Sequence, residues 1–368
     1  MKKKLITEWL EMPEYDNVKQ DKPEIEATFR FKTQEDYDKF HYLIKKHLYN
    51  NEKVFDGMQR KDKKSTWFPL KEKAKKYKYI GNGNPKFPIY IVSKGRWHRN
   101  PTSKILLNMN VPFKMIVEEN EYDNYLAIVP KENLLILPVK YKKEYDQFWK
   151  YEDYKTGSGP ARNYAWDHAV KSGHDYHWCL DDNIESFEIY NKNLKIKCNS
   201  GSFFRVIENF ALRYKNLAIC GPNYAIFCPQ SEGRPPYKLN TRVYSCLLIK
   251  NNISFRWRGR YNEDTDLCIR VLKAGYCTIL FNAFLQGKRA TGTVKGGNTD
   301  EIYNKGYDDK SKMIVDMHPD ICKLSNKFRK IHHHCNYEKF ENKLIRKDNF
   351  NYENKTNNYD LVLEKNDN

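Results

Sequence analysis

Two acids and an amide, Asp181-Asp182-Asn183, follow the apolar run Tyr176-His177-Trp178-Cys179-Leu180 and precede Ile184. Adjacent carboxylates repel unless a cation lies between them, and hard cations such as Mg²⁺ or Mn²⁺ take oxygen ligands. The triplet therefore reads either as a metal site or as a polar surface turn, which the same residues favour. A second acidic group sits in Asn262-Glu263-Asp264-Thr265-Asp266, where Asn262 can cap a helix with the apolar stripe Leu267, Cys268, Val271 and Leu272. At ~100° per residue, Asp264 falls at the centre of that stripe, Glu263 to one side, and Asp266 nearly opposite. An inward acid is costly to bury without a partner or a task, and burial raises a carboxyl toward the range of a general base. Asp264 is thus the base candidate. Glu263 stands beside it and also suits the plainer role of a first-turn acid facing the helix dipole.

Arg162 and Asn163 follow Gly157-Ser158-Gly159-Pro160-Ala161, where Pro160 fits the first turn of a helix. Free backbone N–H groups at such an end favour an anion, and a diphosphate suits the place, although Arg162 could instead pair with a carboxylate. Residues 288–298 carry Lys288, Arg289 and Lys295 among Gly292, Gly296 and Gly297, a flexible basic loop able to fold over phosphates. His318, or one of His332-His333-His334, could complete an acidic metal site or belong to a basic patch.

These groups need a frame. Ile89-Tyr90-Ile91-Val92 is an apolar strand ending in Ser93-Lys94-Gly95-Arg96, and 113–117 is another ending in Glu118 and Glu119. Further strands are expected at 134–139, 176–180, 244–249 and 278–285, with helices at 102–108 and from 160 to Gly173. Alternation of this kind predicts an α/β fold with a mostly parallel, doubly wound sheet whose carboxyl edge collects the polar groups. Residues 1–80 read as a separate small α/β module, with strands at 25–31 and 65–68 and a helix opened by Thr33 and Asp36. Gly81-Asn82-Gly83-Asn84-Pro85 reads as a linker, and 339–368 as a polar, frayed tail. Lys61, Lys63, Lys64, Lys71, Lys73, Lys75, Lys76 and Lys78, interleaved with Trp67, Tyr77 and Tyr79, form either a solvated face or a phosphate grip.

The formal charge of +18, from 65 Lys and Arg against 47 Asp and Glu, favours a polyanionic partner, nucleic acid first. Nine Cys without a Cys-x-x-Cys pair read as reduced core thiols of a cytosolic protein. No apolar run approaches the ~20 residues of a membrane span, so a soluble cytoplasmic protein is expected.

Taken together, Ser93-Lys94-Gly95-Arg96, the 157–163 helix start, Leu180-Asp181-Asp182-Asn183 and Glu263-Asp264-Thr265-Asp266-Leu267 resemble the GT-A glycosyltransferases. More narrowly, residues 86–338 resemble the phage TET-associated glycosyltransferases, which attach sugars to 5-hydroxymethylpyrimidines in DNA. The resemblance implies a Rossmann-like GT-A domain and a nucleotide-sugar donor, a UDP-sugar, held with a divalent metal, Mn²⁺ or Mg²⁺. It implies that Asp181 meets the ribose, that Asp182 with Asn183 binds the metal, and that Ser93, Arg96 and Glu118 surround the nucleoside. Arg162 would meet the diphosphate, and Asp264 would deprotonate the acceptor, 5-hydroxymethylcytosine in DNA, in an inverting transfer. A modified base in a duplex must leave the stack, and Phe255, Trp257 and Tyr261 are candidates to receive it. The alternatives are a GT-A enzyme acting on a glycan or protein, and a non-catalytic basic nucleic-acid-binding protein.

Overall fold

Runs of Ile, Val, Leu and Tyr fill a 12-stranded sheet, and polar residues gather where most of its strands end. The computed structural model describes residues 8–15, 29–48, 77–288 except 152, 154 and 230–233, residue 302, and 308–365 except 328, 329, 349 and 352–357. In chain order the elements are α1 (Gln34–Leu48), β1 (Tyr77–Ile80), β2 (Ile89–Val92), α2 (Pro101–Asn108), β3 (Lys114–Val117), α3 (Tyr122–Leu126), β4 (Leu134–Ile136) and α4 (Val139–Lys143). There follow α5 (Gly159–Lys171), β5 (Tyr176–Asp181), β6 (Ile184–Asn191), β7 (Leu194–Asn199), α6 (Ser202–Leu212), β8 (Leu217–Tyr224), β9 (Tyr237–Leu239) and β10 (Cys246–Lys250). The chain continues through α7 (Glu263–Lys273), β11 (Cys277–Lys288), α8 (Asp308–Met317), β12 (Cys322–Lys327), β13 (Lys330–Cys335) and β14 (Val362–Lys365).

The strand order is β14-β1-β7-β6-β11-β8-β10-β5-β2-β3-β4, with β9 on β11. Strands β1 to β5, β7, β8 and β11 run one way, and β6, β9, β10 and β14 the other. The expected largely parallel α/β sheet is therefore present. The carboxyl ends of β2, β3, β5, β8 and β11 share one edge, where β10 begins. Strand alternation supplies two apolar faces. Ile89, Ile91, Trp178 and Leu180 pack with Phe203, Phe204 and Phe210 of α6 on one face. Val92, Cys179 and Leu247 pack with Trp166 of α5 and Leu267, Cys268 and Val271 of α7 on the other. Glu208 of α6 pins the first face. Its Oε1 accepts from Trp178 Nε1 at 2.8 Å and its Oε2 from the Lys86 N–H at 2.6 Å, and burial pushes its carboxyl up to about 7.

Several expectations change. The Thr33–Asp36 capping box is there, with the Thr33 hydroxyl donating to Asp36 at 2.7 Å. The strand expected at 65–68, residues 25–28 of the strand expected at 25–31, and the lysine run 61–76 lie outside the described residues; 29–31 are described and form no strand. The segment 81–85 is no loose linker: a Cβ on Gly81 would meet the Asp360 carbonyl at 2.4 Å, and one on Gly83 would meet Ser202 Oγ at 2.1 Å. It joins β1, already in the main sheet through β7, to β2. The tail is not wholly frayed either. Tyr359 and Leu361 bury themselves in the core and β14 pairs with β1, because two apolar anchors suffice to hold a polar strand on an edge. Two of the nine cysteines, Cys322 and Cys335, form a disulfide across the β12–β13 hairpin, and the other seven are free and buried.

Asp266 is the clearest reversal. Sequence periodicity turns it away from the sheet, yet it is completely buried. A second apolar layer explains this: Met313, Ile314 and Met317 of α8 pack on Ile269 of α7 and cover its outer side. There the Asp266 carboxylate accepts from Arg270 Nε at 2.7 Å and Arg258 Nη2 at 3.1 Å, and meets His318 Nε2 at 2.9 Å. Burial opposes ionisation, but His318 and the two guanidinium groups outweigh it and hold the carboxyl below its ordinary value. A depressed carboxyl stabilises the fold above its unfolded pKa of about 4, and that stability disappears as pH falls through the folded value. Asp266→Asn leaves buried His318 and the half-buried Arg258 and Arg270 short of an anion, and should cost about 3 kcal/mol at neutral pH in urea denaturation. The gap between variant and parent should shrink on acidification below about pH 4.

Candidate active site

The end of β5 presents its two aspartates in different directions, as successive strand residues do. Asp182 turns toward the loop after β2, where its Oδ1 accepts from Arg96 Nη1 at 2.6 Å and its Oδ2 from Ser93 Oγ at 2.8 Å. Burial drives the Asp182 carboxyl up against the opposing pull of Arg96 and Ser93. The loop is held by α3 and its approach: Tyr125 Oη lies 2.7 Å from Ser93 Oγ, and the Gly95 N–H donates to Glu121 at 2.8 Å.

Asp181 faces the other side. Its Oδ1 accepts from Arg162 Nη2 at 2.7 Å and its Oδ2 from Lys288 Nζ at 2.5 Å. Burial alone would raise this carboxyl, but Lys288 and Arg162 hold it well below its ordinary value. Lys288 also donates to Ser245 Oγ at 2.8 Å, and Ser245 in turn lies 2.5 Å from Tyr224 Oη.

Arg162 joins the acids of β5 and α7. It is 5 % exposed, lies 4.6 Å from the Trp257 ring centroid, and places Nη1 at 3.6 Å from Glu263 Oε1. Ser158, just before α5, donates to the same Glu263 oxygen at 2.8 Å. Burial pushes the Glu263 carboxyl up; Arg162 opposes the shift and neighbouring Asp264 adds to it. Asp264 is only half-buried. Its Oδ1 accepts from the Thr265 N–H at 2.7 Å, and its Oδ2 has no hydrogen-bond partner among the described residues. Its charge raises Arg242, whose guanidinium lies 4.7 Å from the Tyr244 ring, and acts on Lys310.

The structure thus brings Ser93, Arg96, Arg162, Asp181, Asp182, Glu263 and Asp264 to one edge. Glu118, at the exit of β3, is held by Lys142 at 3.0 Å and Lys94 at 3.3 Å. Asn163 is spent elsewhere: its amide donates to the Trp257 carbonyl and accepts from the Trp257 N–H, leaving the anion-facing role at this helix end to Arg162. His318 stands with Asp266 and has Lys273 Nζ 3.3 Å from its other nitrogen, so both ring nitrogens are engaged within that cluster. Asn262 heads α7 with φ +55°, but its side chain donates to Lys310 instead of capping the helix. Trp257 and Tyr261 are core residues, and Phe255 lies under Arg270. The aromatic groups at the edge are Tyr224, Phe227 and Tyr244, which sequence reading missed together with Ser245; Lys288, expected in a flexible basic loop, instead ends β11. The signal for Lys288 was its place at the end of the apolar run 277–286.

A divalent cation fits this arrangement poorly. Both oxygens of Asp181 and both of Asp182 already accept from Arg162, Lys288, Arg96 and Ser93. Among the described residues, the buried Asn183 Oδ1 is the one side-chain oxygen of the triplet with no donor. Among the described residues, no three His, Cys, Asp or Glu side chains converge as a metal-binding group. At the aspartate pair, an added ion of charge +2 would face three nearby cations with every Asp181 and Asp182 carboxylate oxygen already accepting a hydrogen bond.

No described helix is long and apolar enough to cross a membrane. No curated protein matches the chain. The family model described as TET-Associated Glycosyltransferase matches residues 87–297, which is more than half of the sequence and spans β2 to the end of β11. Its limits enclose the whole acid–cation edge just described, and the chain belongs to the TET-associated glycosyltransferases.

Proposed function

We propose that the protein transfers a sugar from a nucleotide-sugar donor, a UDP-sugar, to the hydroxyl of 5-hydroxymethylcytosine in DNA, with inversion at the anomeric carbon. The observation that carries the reading is the edge itself, where Arg162 and Lys288 flank Asp181, and Asp264, next to Arg162's partner Glu263, has one carboxylate oxygen with no hydrogen-bond partner among the described residues. The nucleoside fits the β2–β3 side, among Ser93, Arg96 and Glu118, with Asp181 on the ribose. In the transfer, the acceptor oxygen forms a bond to the anomeric carbon as the bond from that carbon to the diphosphate oxygen breaks. The electron pair leaves with the diphosphate, and the acceptor proton passes to Asp264 Oδ2. Fixed cations stabilise the growing diphosphate charge more in the transition state than in the ground state.

The acceptor side is supported by the charge of +18 and by the turn that follows β8. Ile226 is 75 % exposed and Phe227 54 %, one turn beyond Tyr224 at the same edge. Exposed apolar side chains beside a basic surface suit unstacked bases, which enzymes acting on duplex DNA must extrude.

Mixing the protein with a panel of nucleotide sugars and 5-hydroxymethylcytosine DNA, then digesting the DNA for mass spectrometry, names donor and acceptor together. Mass added to a glycan or protein instead would overturn the DNA reading. Asp264→Asn should lower the transfer rate about 10²–10⁴-fold while donor binding, followed by calorimetry, stays near that of the parent. Full activity in that variant moves the base to Glu263. Replacing Ile226 and Phe227 by alanine should reduce transfer to duplex DNA roughly tenfold and spare transfer to the free nucleoside. DNA affinity should fall steeply when salt rises from about 50 to 200 mM in an anisotropy titration.

A further inference from the structure

Metal-using sites of this general kind need anionic oxygens to hold the ion, and here the four carboxylate oxygens of Asp181 and Asp182 already accept from Arg162, Lys288, Arg96 and Ser93. We infer that Lys288, backed by Arg162, is itself the group that meets the donor's diphosphate, so that donor binding and transfer proceed without a divalent ion. The inference rests on the nucleotide-sugar reading and names a catalytic residue for it.

Three observations converge on Lys288. First, it is fixed: Nζ donates to Asp181 Oδ2 at 2.5 Å and to Ser245 Oγ at 2.8 Å, and the side chain is 9 % exposed. An ammonium has three N–H donors, so one remains for an incoming phosphate oxygen. Second, it is aimed by a bulge. The β11–β6 register shifts between Gly287 and Lys288, which sets Lys288 opposite Ile184 beside the aspartate pair. A Cβ on Gly287 would meet Ser186 Oγ at 2.2 Å, so a larger residue here would have to displace the Ser186 hydroxyl. Bulges that re-aim a side chain recur next to active sites. Third, the charges balance. Asp181, Asp182 and Glu263 each stand against a fixed cation, Arg96, Arg162 or Lys288, so a diphosphate meets positive partners already in place, whereas an extra cation meets acids that are already paired. The Asp181 carboxylate keeps Lys288 charged, its ammonium raised to about 12 despite burial.

The test uses the full-length protein stripped with EDTA. UDP and inorganic pyrophosphate are titrated calorimetrically in excess EDTA and again with Mn²⁺, and Mn²⁺ alone is followed by its effect on water-proton relaxation. Both anions should bind equally well in the two conditions, transfer should persist in EDTA, and Mn²⁺ alone should show no tight site. Lys288→Ala should weaken both anions by about 10–100-fold, the value of one or more charge-assisted hydrogen bonds, and Lys288→Arg should recover most of that loss. Matching thermal melts of the variants separate this from misfolding. Binding that appears only with Mn²⁺, or an unchanged Lys288→Ala, overturns the inference and leaves the donor reading standing. Failure of UDP, other nucleoside diphosphates and pyrophosphate to bind in either condition overturns both.

Discussion

The edge depends on one buried guanidinium. Arg162 reaches from the first turn of α5 to Asp181 on β5 and Glu263 on α7, with Trp257 against its face. Without it, two buried carboxylates from different elements would face each other across the edge with Lys288 as the main remaining counter-charge. Such a cluster contributes little net stability, because desolvation offsets most of the Coulomb attraction, while removing one member costs about 3–5 kcal/mol. Its value lies in position. A planar fork fixes β5 relative to α7, and so fixes Asp181 relative to the start of α7, where Asp264 lies.

Everything around Arg162 is held by a second partner. Ser158 restrains Glu263, Ser245 restrains Lys288, and Tyr224 restrains Ser245, which gives a continuous polar chain across the carboxyl edge. On the β2 side, Tyr125 and Asn100 hold Ser93, and Ser93 holds Asp182. Donors and acceptors fixed in this way lose little reorganisation energy when charge develops. The antiparallel strand β10 matters for the same reason. Its reversed direction brings Ser245 to the edge at the start of a strand, within reach of groups that end β5 and β11.

Much of this was legible in the sequence, for a physical reason: strands buried on both faces are unbroken apolar runs, and their polar ends mark the carboxyl edge. The runs at 89–92 and 176–180 gave the parallel core, and the helix start at Gly159-Pro160 placed Arg162. What failed needed neighbours distant in the chain. The adjacent aspartates suggested a cation between them, but strand alternation sends Asp182 to Arg96 and Asp181 to Arg162 and Lys288, so each repelling charge finds its own partner. Helical periodicity located the stripe of α7 correctly yet misplaced Asp266, since one period reports one packed face and α8 supplies another. Lys288 looked like the start of a glycine-rich loop because glycines follow it at 292, 296 and 297, whereas it ends β11 beyond a register shift at Gly287.

The charge balance at the edge also says where the rest of the positive charge lies. The acids and cations named around Asp181 and Asp182 cancel, so the net +18 resides elsewhere on the chain. On the proposed reading this separates two tasks that act over different ranges. Buried, paired cations act on the donor through short, directional hydrogen bonds that salt barely screens. Exposed cations act on the acceptor's phosphate backbone over roughly a Debye length, about 8 Å at physiological salt. A protein built this way can release its DNA as salt rises without losing its grip on the sugar nucleotide, because the two attractions draw on different charges.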